Sequence, residues 1–254
     1  MDISQLSLSR PLRPSFASRS FPPHVSACPP LRSFPGVILR TSAIWEEIAD
    51  LAHVLTVPKG EILYPIEDEL PPLIYVKSGK VRINFIDIEG DERVLHFSLP
   101  GSIFWDGFYA ADLHFRPMPV KAVEKCVLYL FDSRMSSEHL FQINPLLIRN
   151  LLYSQAVKNI THSRLAMINS YRKPLSRVAL FLHEMREAMG RDSFPGLISQ
   201  AEMAILLHLH RVTISNALTT LKNLDILRSF NRQEVSFRSP EKLLPLALDS
   251  AKNP

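Results

Sequence analysis

Hydrophobic and polar positions alternate along residues 53–132. In the runs 81–85 and 95–99, apolar residues occupy every second position, a period typical of half-buried strands, and Val127, Tyr129 and Phe131 have the same spacing. Turn-forming residues separate the runs at Pro58-Lys59-Gly60, Ser78-Gly79-Lys80, Glu89-Gly90-Asp91 and Pro100-Gly101. The pattern predicts an antiparallel barrel or jelly-roll-like sandwich.

At Pro145 the pattern changes to that of a long helix ending at about Ser170, because proline suits a first helical turn and neither Pro nor Gly follows within it. Apolar residues fall on two faces, one with Leu147, Leu151, Leu165 and Ile168, the other with Tyr153, Val157, Ile160 and Met167. A helix with one apolar face packs only on its own domain, so two faces predict packing on a second copy as well. Burial inside one large domain is the alternative.

The predicted homodimer contact on this helix includes Leu151, Lys158 and Leu165. A lysine at such a contact has to lie at its edge or meet a counter-charge, because an unpaired buried charge is strongly unfavourable. Residues 171–190 predict one further helix, which ends before Gly190.

The stretch 198–227 predicts two short helices joined by a sharp turn. Ser199 and Glu202 have the spacing of a capping box, so a helix begins directly after Ser199. The turn falls near His208, because histidine tolerates left-handed backbone better than most residues other than glycine. The second helix is predicted over residues 211–224.

At about 100° per residue, the second helix divides into two arcs. The inward arc holds Ile214, Ala217, Leu218 and Leu221, and the outward arc holds Arg211, Val212, Ser215, Asn216 and Thr219. Guanidinium, amide and methyl groups are those that read guanine, adenine and thymine in the major groove. The two helices therefore predict a helix-turn-helix, with a plain helical hairpin as the alternative.

Residues 226–230 and 234–237 flank Asn231-Arg232-Gln233 and predict a two-stranded wing, whose basic residues Arg228, Arg232 and Arg238 suit phosphates. His210 is expected to cap the second helix or to touch a phosphate. The predicted DNA contacts are Ser199, Gln200, His210, Arg211, Val212, Thr213, Ser215, Asn216, Lys222 and Arg232.

Charge and composition divide the chain further. Residues 1–40 carry a net charge of +4, residues 41–169 carry −4 and residues 170–254 carry +4. A basic C-terminal third suggests a polyanionic partner, although such a small excess is also compatible with ordinary surface scatter. Residues 1–36 contain seven Pro and eight Ser, a composition typical of disorder. The predicted disordered leader spans residues 1–40. An organelle transit peptide is the alternative.

Several function classes are not favoured. No apolar run approaches the roughly 18 residues of a membrane helix. Cys28 and Cys126 form no CxxC pair, and His208 and His210 have no third ligand nearby in sequence, so no metal or cofactor is expected and a reducing cytoplasm fits. The sequence shows neither a nucleophile–base motif nor a Walker glycine loop, so an enzyme is not favoured.

The order of these features resembles the cyclic-AMP receptor / fumarate-nitrate regulator (Crp/Fnr) superfamily of bacterial transcription factors over residues 45–248. The resemblance rests on the glycine-spaced roll with "VKSGKV", on the long helix, on "RVALFLHEM" and on "SQAEMA" followed by "HRVTISNALTTLKNLDIL". It implies an α+β fold: an antiparallel β-roll sensor domain (41–144), a dimerisation helix (145–170) and a winged helix-turn-helix domain (171–254).

The chain departs from the pattern of the family's cyclic-nucleotide members, which carry a Gly-Glu pair and then Arg-Ser or Arg-Thr. Here Asp106-Gly107 and Arg116-Pro117 occupy that region, and proline lacks the N–H and hydroxyl that a phosphate would use. The four-cysteine iron–sulfur pattern of oxygen-sensing members is absent as well. "HRVTIS" resembles the branch that senses halogenated aromatic compounds.

Aromatic residues concentrate between Phe97 and Phe115, which favours a flat apolar effector. Arg116 and Lys121 are expected to hold an anionic end, and Tyr153 to close the site from the long helix. The predicted effector contacts are Phe97, Phe104, Trp105, Phe108, Tyr109, Arg116, Lys121 and Tyr153. A barrel core is the alternative role for the aromatic rings.

Together these features predict a cytoplasmic, effector-controlled transcription regulator that binds a palindromic operator as a homodimer. The expected partners are double-stranded DNA, a small-molecule effector and RNA polymerase. A constitutive regulator with a degenerate sensor, a cyclic-nucleotide-binding regulator and a scaffold protein that uses the roll for protein contacts remain the alternatives.

Overall fold

The computed structural model describes residues 34–64, 71–86, 88–90, 92–106, 118–132, 135 and 137–252. These residues form two compact units. The first contains the described residues of 37–159, and the second contains residues 34–36 and 160–252.

Short strands dominate the first unit. They are β1 (Val37–Ile38), β2 (His53–Val57), β3 (Ile62–Leu63), β4 (Leu73–Ser78), β5 (Val81–Ile86), β6 (Glu92–Ser98), β7 (Ile103–Phe104), β8 (Val120–Ala122) and β9 (Cys126–Phe131). One sheet has the order β1-β6-β5-β8-β3 and the other β2-β9-β4-β7. All pairs are antiparallel except β1 with β6, so the predicted antiparallel roll is confirmed with one parallel edge pair.

A β-bulge interrupts the β5–β6 pair. Ile83 pairs with His96 and Asn84 pairs with Val94, so the extra residue lies in β6. The alternation of side-chain direction predicted for β5 continues through Asn84, because Arg82 and Asn84 both donate to the carboxylate of Glu92 and therefore share one face. Burial does not follow this alternation, since Asn84 is fully buried and Phe85 is 39% exposed.

The core of the first unit has two parts. One lies inside the roll and includes Val81, Ile83, Val120, Ala122 and Leu128. The other joins a 3₁₀ segment (Ile44–Leu51) and α1 (Ser137–Ile143) to the start of α2 (Pro145–Asn169). In this second part, the indole Nε1 of the buried Trp45 donates to Oδ1 of Asn150 at 2.7 Å.

The predicted leader is too long. Phe34, Val37 and Ile38 are buried, and β1 pairs with the edge of β6. In the second unit, the ring of Phe34 lies edge-on to that of Phe181, with centroids 6.0 Å apart. The Pro- and Ser-rich composition of the first 40 residues concealed this short apolar run, whose burial stabilises it as part of the fold.

The second unit contains α3 (Pro174–Met189), β10 (Ser193–Phe194), α4 (Gln200–Leu206), α5 (Arg211–Asn223), β11 (Leu227–Phe230), β12 (Val235–Phe237) and α6 (Leu243–Lys252). The strands form one antiparallel sheet in the order β10-β12-β11. The helices α3 to α5 and the two wing strands β11 and β12 were predicted, whereas β10 was not. Two residues are too few for a recognisable alternation, so this third strand of the wing was missed.

Helix α2 has one buried stripe along its whole length, which includes the predicted partner-facing residues. Leu151, Lys158 and Leu165 are each 8% exposed within a single chain, and Val157 is 3% exposed. Their predicted role as a contact to a second copy is therefore wrong, because their own chain already covers them. The exposed face carries instead Arg149, Leu152, Ala156, Asn159, Ser163 and Met167.

Within the described part of the chain, no helix combines the length and the apolar character needed to cross a bilayer.

The β4–β5 hairpin should depend strongly on Gly79. Its φ is +85°, and a Cβ there would lie 2.5 Å from the carbonyl oxygen of Lys125. We expect Gly79→Ala to lower the free energy of unfolding by about 1–2 kcal/mol for left-handed backbone and about 1–3 kcal/mol more for the overlap. Chemical denaturation followed by circular dichroism measures this loss.

Gly60 provides the matched control, because its φ is +89° and nothing lies within 4 Å of the position a Cβ would occupy. Gly60→Ala should show the backbone contribution alone. Equal losses in the two variants would contradict the close approach at Gly79.

Candidate functional site

The helix-turn-helix begins with the predicted capping box. The backbone N–H of Glu202 donates to Oγ of Ser199 at 3.2 Å, and the backbone N–H of Ser199 donates to Oε2 of Glu202 at 2.6 Å. The box is therefore confirmed and sets the start of α4. A DNA contact by Ser199 would have to use a hydroxyl that already accepts this bond.

The turn between α4 and α5 has the predicted left-handed histidine, since φ of His208 is +50°. His210 occupies the N-cap position of α5 in extended conformation, but its side chain makes no capping hydrogen bond. The expected capping role of the His210 side chain is therefore wrong. The residue is exposed at the start of α5, where a phosphate contact stays a prediction.

Two side chains outside the motif hold the C-terminal end of α4. The last carbonyls of a helix lack partners within it. Asn169 Nδ2 donates to the carbonyl oxygen of Leu206 at 2.9 Å, and Arg177 Nη1 donates to that of Leu207 at 3.2 Å. Arg177 Nε also donates to the carbonyl oxygen of Tyr171 at 2.5 Å. Nothing in the local sequence of the motif indicates these bonds, because they span 30 residues or more.

Helix α5 divides as its sequence predicts. Ile214, Ala217, Leu218 and Leu221 are buried. Arg211, Val212, Ser215, Asn216 and Thr219 are exposed, and Thr213 is half-buried. Val212 is 69% exposed, so this arc presents an apolar group to solvent beside its polar ones.

The outward hydroxyl groups of α5 are partly committed to the helix itself. Thr219 Oγ1 donates to the carbonyl oxygen of Ser215, and Thr220 Oγ1 donates to that of Asn216, both at 3.0 Å. Bonds of this kind use the hydroxyl proton and leave the methyl group facing outward. Arg211 and Asn216 therefore carry the exposed side-chain N–H donors of the arc.

The wing tip is held in one conformation by its own side chains. Asn231 Oδ1 accepts from the backbone N–H groups of Gln233 at 2.8 Å and Glu234 at 2.9 Å. Gly196 lies against the tip, and a Cβ there would be 2.0 Å from the carbonyl oxygen of Asn231. Arg232 is exposed in this turn.

The remaining basic residues near the wing differ in their surroundings. Lys222 is exposed in the last turn of α5. The guanidinium of Arg238, expected to face phosphates, donates instead to Oδ1 of Asp225 at 2.6 Å.

Gln200 is half-buried in the first turn of α4. All ten predicted DNA contacts belong to the second unit, and their contacts with DNA stay predictions.

In the first unit, the structure brings together only some of the predicted effector contacts. Phe104 and Trp105 are buried in the roll with ring centroids 5.7 Å apart, and Trp105 Nε1 donates to the carbonyl oxygen of Met118 at 3.0 Å. Tyr153 is half-buried on α2. Phe108, Tyr109 and Arg116 lie outside the described residues.

Two predicted effector contacts lie on the faces of their strands that point away from the roll core. Lys121 alternates with Val120 and Ala122, whose side chains are in the roll core. Phe97 pairs with Arg82, between the pairs that Val81 and Ile83 make, so it faces away from that core too. Because successive side chains in a strand point to opposite faces, Phe97 and Lys121 do not line the interior of the roll.

Among the described residues of this unit, Lys158 on α2 is a buried cation, which the sequence did not assign to the sensor site. Its Nζ donates to Oδ1 of Asp106, and the two side chains are 10% and 3% exposed. The counter-charge that a buried Lys158 requires therefore comes from the same chain. Oδ2 of Asp106 is buried and has no hydrogen-bond partner among the described residues. The same holds for Oγ of Ser154, which lies one helical turn before Lys158.

The residues that the structure describes contain no group of three His, Cys, Asp or Glu side chains that could hold a metal ion. Burial raises the pKa of the Cys126 thiol, which keeps it protonated and unreactive at neutral pH.

Comparison with known proteins identifies both units. Residues 54–141 match the family described as a cyclic nucleotide-binding domain, and residues 176–246 match the Crp-like helix-turn-helix domain. The nitrogen fixation regulation protein FixK of Rhizobium meliloti (strain 1021) is 25% identical over 194 residues, which cover 76% of this chain and 86% of FixK.

Solved structures show the same fold. FixK2 from Bradyrhizobium japonicum has a TM-score of 0.60 at 22% identity, over 77% of this chain and 96% of that one. CprK in a complex with OCPA has a TM-score of 0.64 at 18% identity, over 85% of this chain and 99% of that one. A roll of the cyclic-nucleotide-binding type precedes a Crp-like helix-turn-helix in the sequence, and the chain therefore belongs to the Crp/Fnr family of transcription regulators.

Proposed function

We propose that this protein is a homodimeric regulator that binds a palindromic operator and responds to a small-molecule effector. The observation that carries the proposal is the outward face of α5, where Arg211 and Asn216 are exposed on a helix whose opposite face is fully packed. A helix held in this way can enter a major groove with its donors directed at base edges.

The proposed DNA contacts divide into two kinds. Arg211 and Asn216 would read bases, because a guanidinium pairs with guanine and an amide with adenine. Lys222 and Arg232 lie outside this arc and would contact phosphates, which adds affinity without sequence preference. We propose RNA polymerase as a further partner and the cytoplasm as the location, as for a regulator of this family.

The exposed face of α2 supports the proposed homodimer. Leu152 is 67% exposed, Met167 is 44% exposed, and the small residues Ala156 and Ser163 lie between them. Small residues allow two helices to approach closely, while the apolar ends of the face gain free energy when water is removed. A two-fold dimer would also match the symmetry of a palindromic operator.

The Lys158–Asp106 pair supports an effector with an anionic group. Lys158 offers a buried cation next to Ser154, and the aromatic Phe104 and Trp105 lie in the same unit. An anion that pairs with Lys158 in place of Asp106 would change the packing of α2 against the roll, which provides the two states that effector control requires. A flat aromatic acid combines these properties.

Two alternatives each have one supporting observation. The match of residues 54–141 to a cyclic nucleotide-binding domain favours a cyclic nucleotide as effector. The pairing of Lys158 with Asp106 favours a constitutive regulator, because the buried cation already has an internal partner.

Arg211→Ala should weaken binding to the selected operator by about 1–3 kcal/mol and relax the preference at one base pair, because a bidentate contact is lost. Lys222→Ala is the contrasting variant. It should weaken all sequences similarly and reduce the salt dependence by about one ion. Selection from random duplexes followed by fluorescence anisotropy tests both variants, and an unchanged consensus for Arg211→Ala would refute the assignment of α5.

Leu152→Glu should shift the protein from a dimer to its 28.9 kDa monomer at micromolar concentration, because it places two charges in the proposed helix contact. Val54→Glu is the matched control, since Val54 is 54% exposed on a strand of the roll. Sedimentation velocity measures the result. A wild-type protein that sediments as a monomer while it binds the operator fully would exclude the dimer.

Effector binding should depend on Lys158 and not on Lys121. The double variant Asp106→Asn/Lys158→Met leaves no buried charge unpaired, and it should lose binding of aryl acids and phenols in calorimetry. In the wild type, that binding should change operator affinity by roughly 5- to 150-fold. Lys121→Met should behave like the wild type. Binding of cyclic AMP or cyclic GMP with that coupling, and none of the aromatics, would establish the cyclic-nucleotide alternative.

A further inference from the structure

Glu234 places a carboxylate in a wing that is otherwise basic. It follows the tip residues Asn231-Arg232-Gln233 and is exposed, two residues from Arg232. Close to a DNA backbone such a charge is unfavourable, because it repels phosphates. Its presence beside the proposed phosphate contact therefore calls for a compensating role.

Hydrogen bonds from three strands converge on this carboxylate. Ser193 Oγ of β10 donates to Oε1 at 2.8 Å, and Ser229 Oγ of β11 donates to Oε2 at 2.9 Å. Ser236 Oγ of β12 donates to Oε2 at 3.2 Å and lies 2.7 Å from Ser229 Oγ. One side chain thus connects all the strands of the described wing sheet.

The backbone of Glu234 also holds the wing tip. Its N–H donates to Oδ1 of Asn231 at 2.9 Å, and its carbonyl oxygen accepts from the N–H of Asn231 at 3.0 Å. Arg232 lies inside the turn that these bonds close. The carboxylate bonds fix the strand residue whose backbone closes this turn, so their loss would loosen the turn and with it the direction of Arg232.

The bonds favour the ionised form of the carboxyl group. Hydrogen bonds from Ser193 and Ser229 lower the pKa of Glu234, so the charge persists at neutral pH. Charge-assisted bonds are stronger than neutral ones, which is a physical reason for a carboxylate rather than an amide at this position.

We propose that Glu234 is a positioning residue for DNA binding, which holds the three wing strands and the tip so that Arg232 meets a phosphate. The inference rests on the proposed operator binding and deepens it. It assigns to an acidic residue a favourable contribution to the binding of a polyanion.

For Glu234→Gln, the proposed positioning role predicts weaker DNA binding, whereas charge repulsion alone predicts stronger binding. If Glu234 only repels DNA, removal of its charge in Glu234→Gln strengthens binding. If it positions Arg232, Glu234→Gln weakens binding by roughly tenfold and lowers the salt dependence by about one ion, as for loss of one phosphate contact. An amide cannot replace both carboxylate oxygens, because its nitrogen does not accept hydrogen bonds.

The experiment measures dissociation constants of the full chain for its selected operator over a range of salt concentrations, by fluorescence anisotropy. Ser193→Ala removes one donor without any change of charge, so it should weaken binding in the same direction as Glu234→Gln. Glu241→Gln removes an exposed carboxylate elsewhere in the second unit and is the matched control, expected to leave binding unchanged or slightly stronger. Circular dichroism verifies that each variant is folded.

A double-mutant cycle tests the route through Arg232. In an Arg232→Ala background, Glu234→Gln should have no further weakening effect, because the side chain that it positions is absent. Stronger binding by Glu234→Gln, or an equal weakening with and without Arg232, would overturn the inference while operator binding stands. A wild-type chain that binds no duplex would remove the proposed function, and the inference with it.

Discussion

The buried amide and the buried charge of helix α2 have their partners inside the chain, and this constraint organises the first unit. Helix α2 buries Asn150 and Lys158 on one stripe, and these are matched by Trp45 and Asp106 of the roll unit. An unpaired charge in such a place would destabilise the fold by several kcal/mol, about 3–5 by analogy with other buried pairs. The packing of this helix against the roll is therefore specific in register as well as in face.

The same constraint shapes the DNA-binding unit, although the groups involved are backbone carbonyls. The C-terminal end of α4 is completed by Asn169 and Arg177, side chains distant in sequence. Because this cap comes from outside the motif, the angle between α4 and α5 depends on the packing of the whole unit. The outward face of α5 is thereby presented on a rigid support, as recognition of base edges requires.

The two units use charge in different ways. Among the described residues of the first unit, the Lys158–Asp106 ion pair is buried, so a rearrangement of this pair would have a large free energy, as the proposed effector control requires. In the wing, the charged side chains are exposed, so each ion pair contributes little free energy. The direction in which each side chain is held matters more. Arg238 donates a hydrogen bond to Asp225, while the Glu234 carboxylate accepts hydrogen bonds from serines of three strands. In the proposed complex with DNA, the direction of each basic side chain, more than net charge, would decide which of them can reach a phosphate.

The sequence by itself determined what depends on neighbours within a few residues: the capping box at Ser199, the left-handed His208 and the two arcs of α5. These features follow from local backbone preferences and from the periods of side-chain direction. Only the tertiary structure decided the rest. The bulge in β6, the strand β10, the outward direction of Lys121 and the pairing of Lys158 with Asp106 arise between segments distant along the chain, where no local period indicates which residues meet.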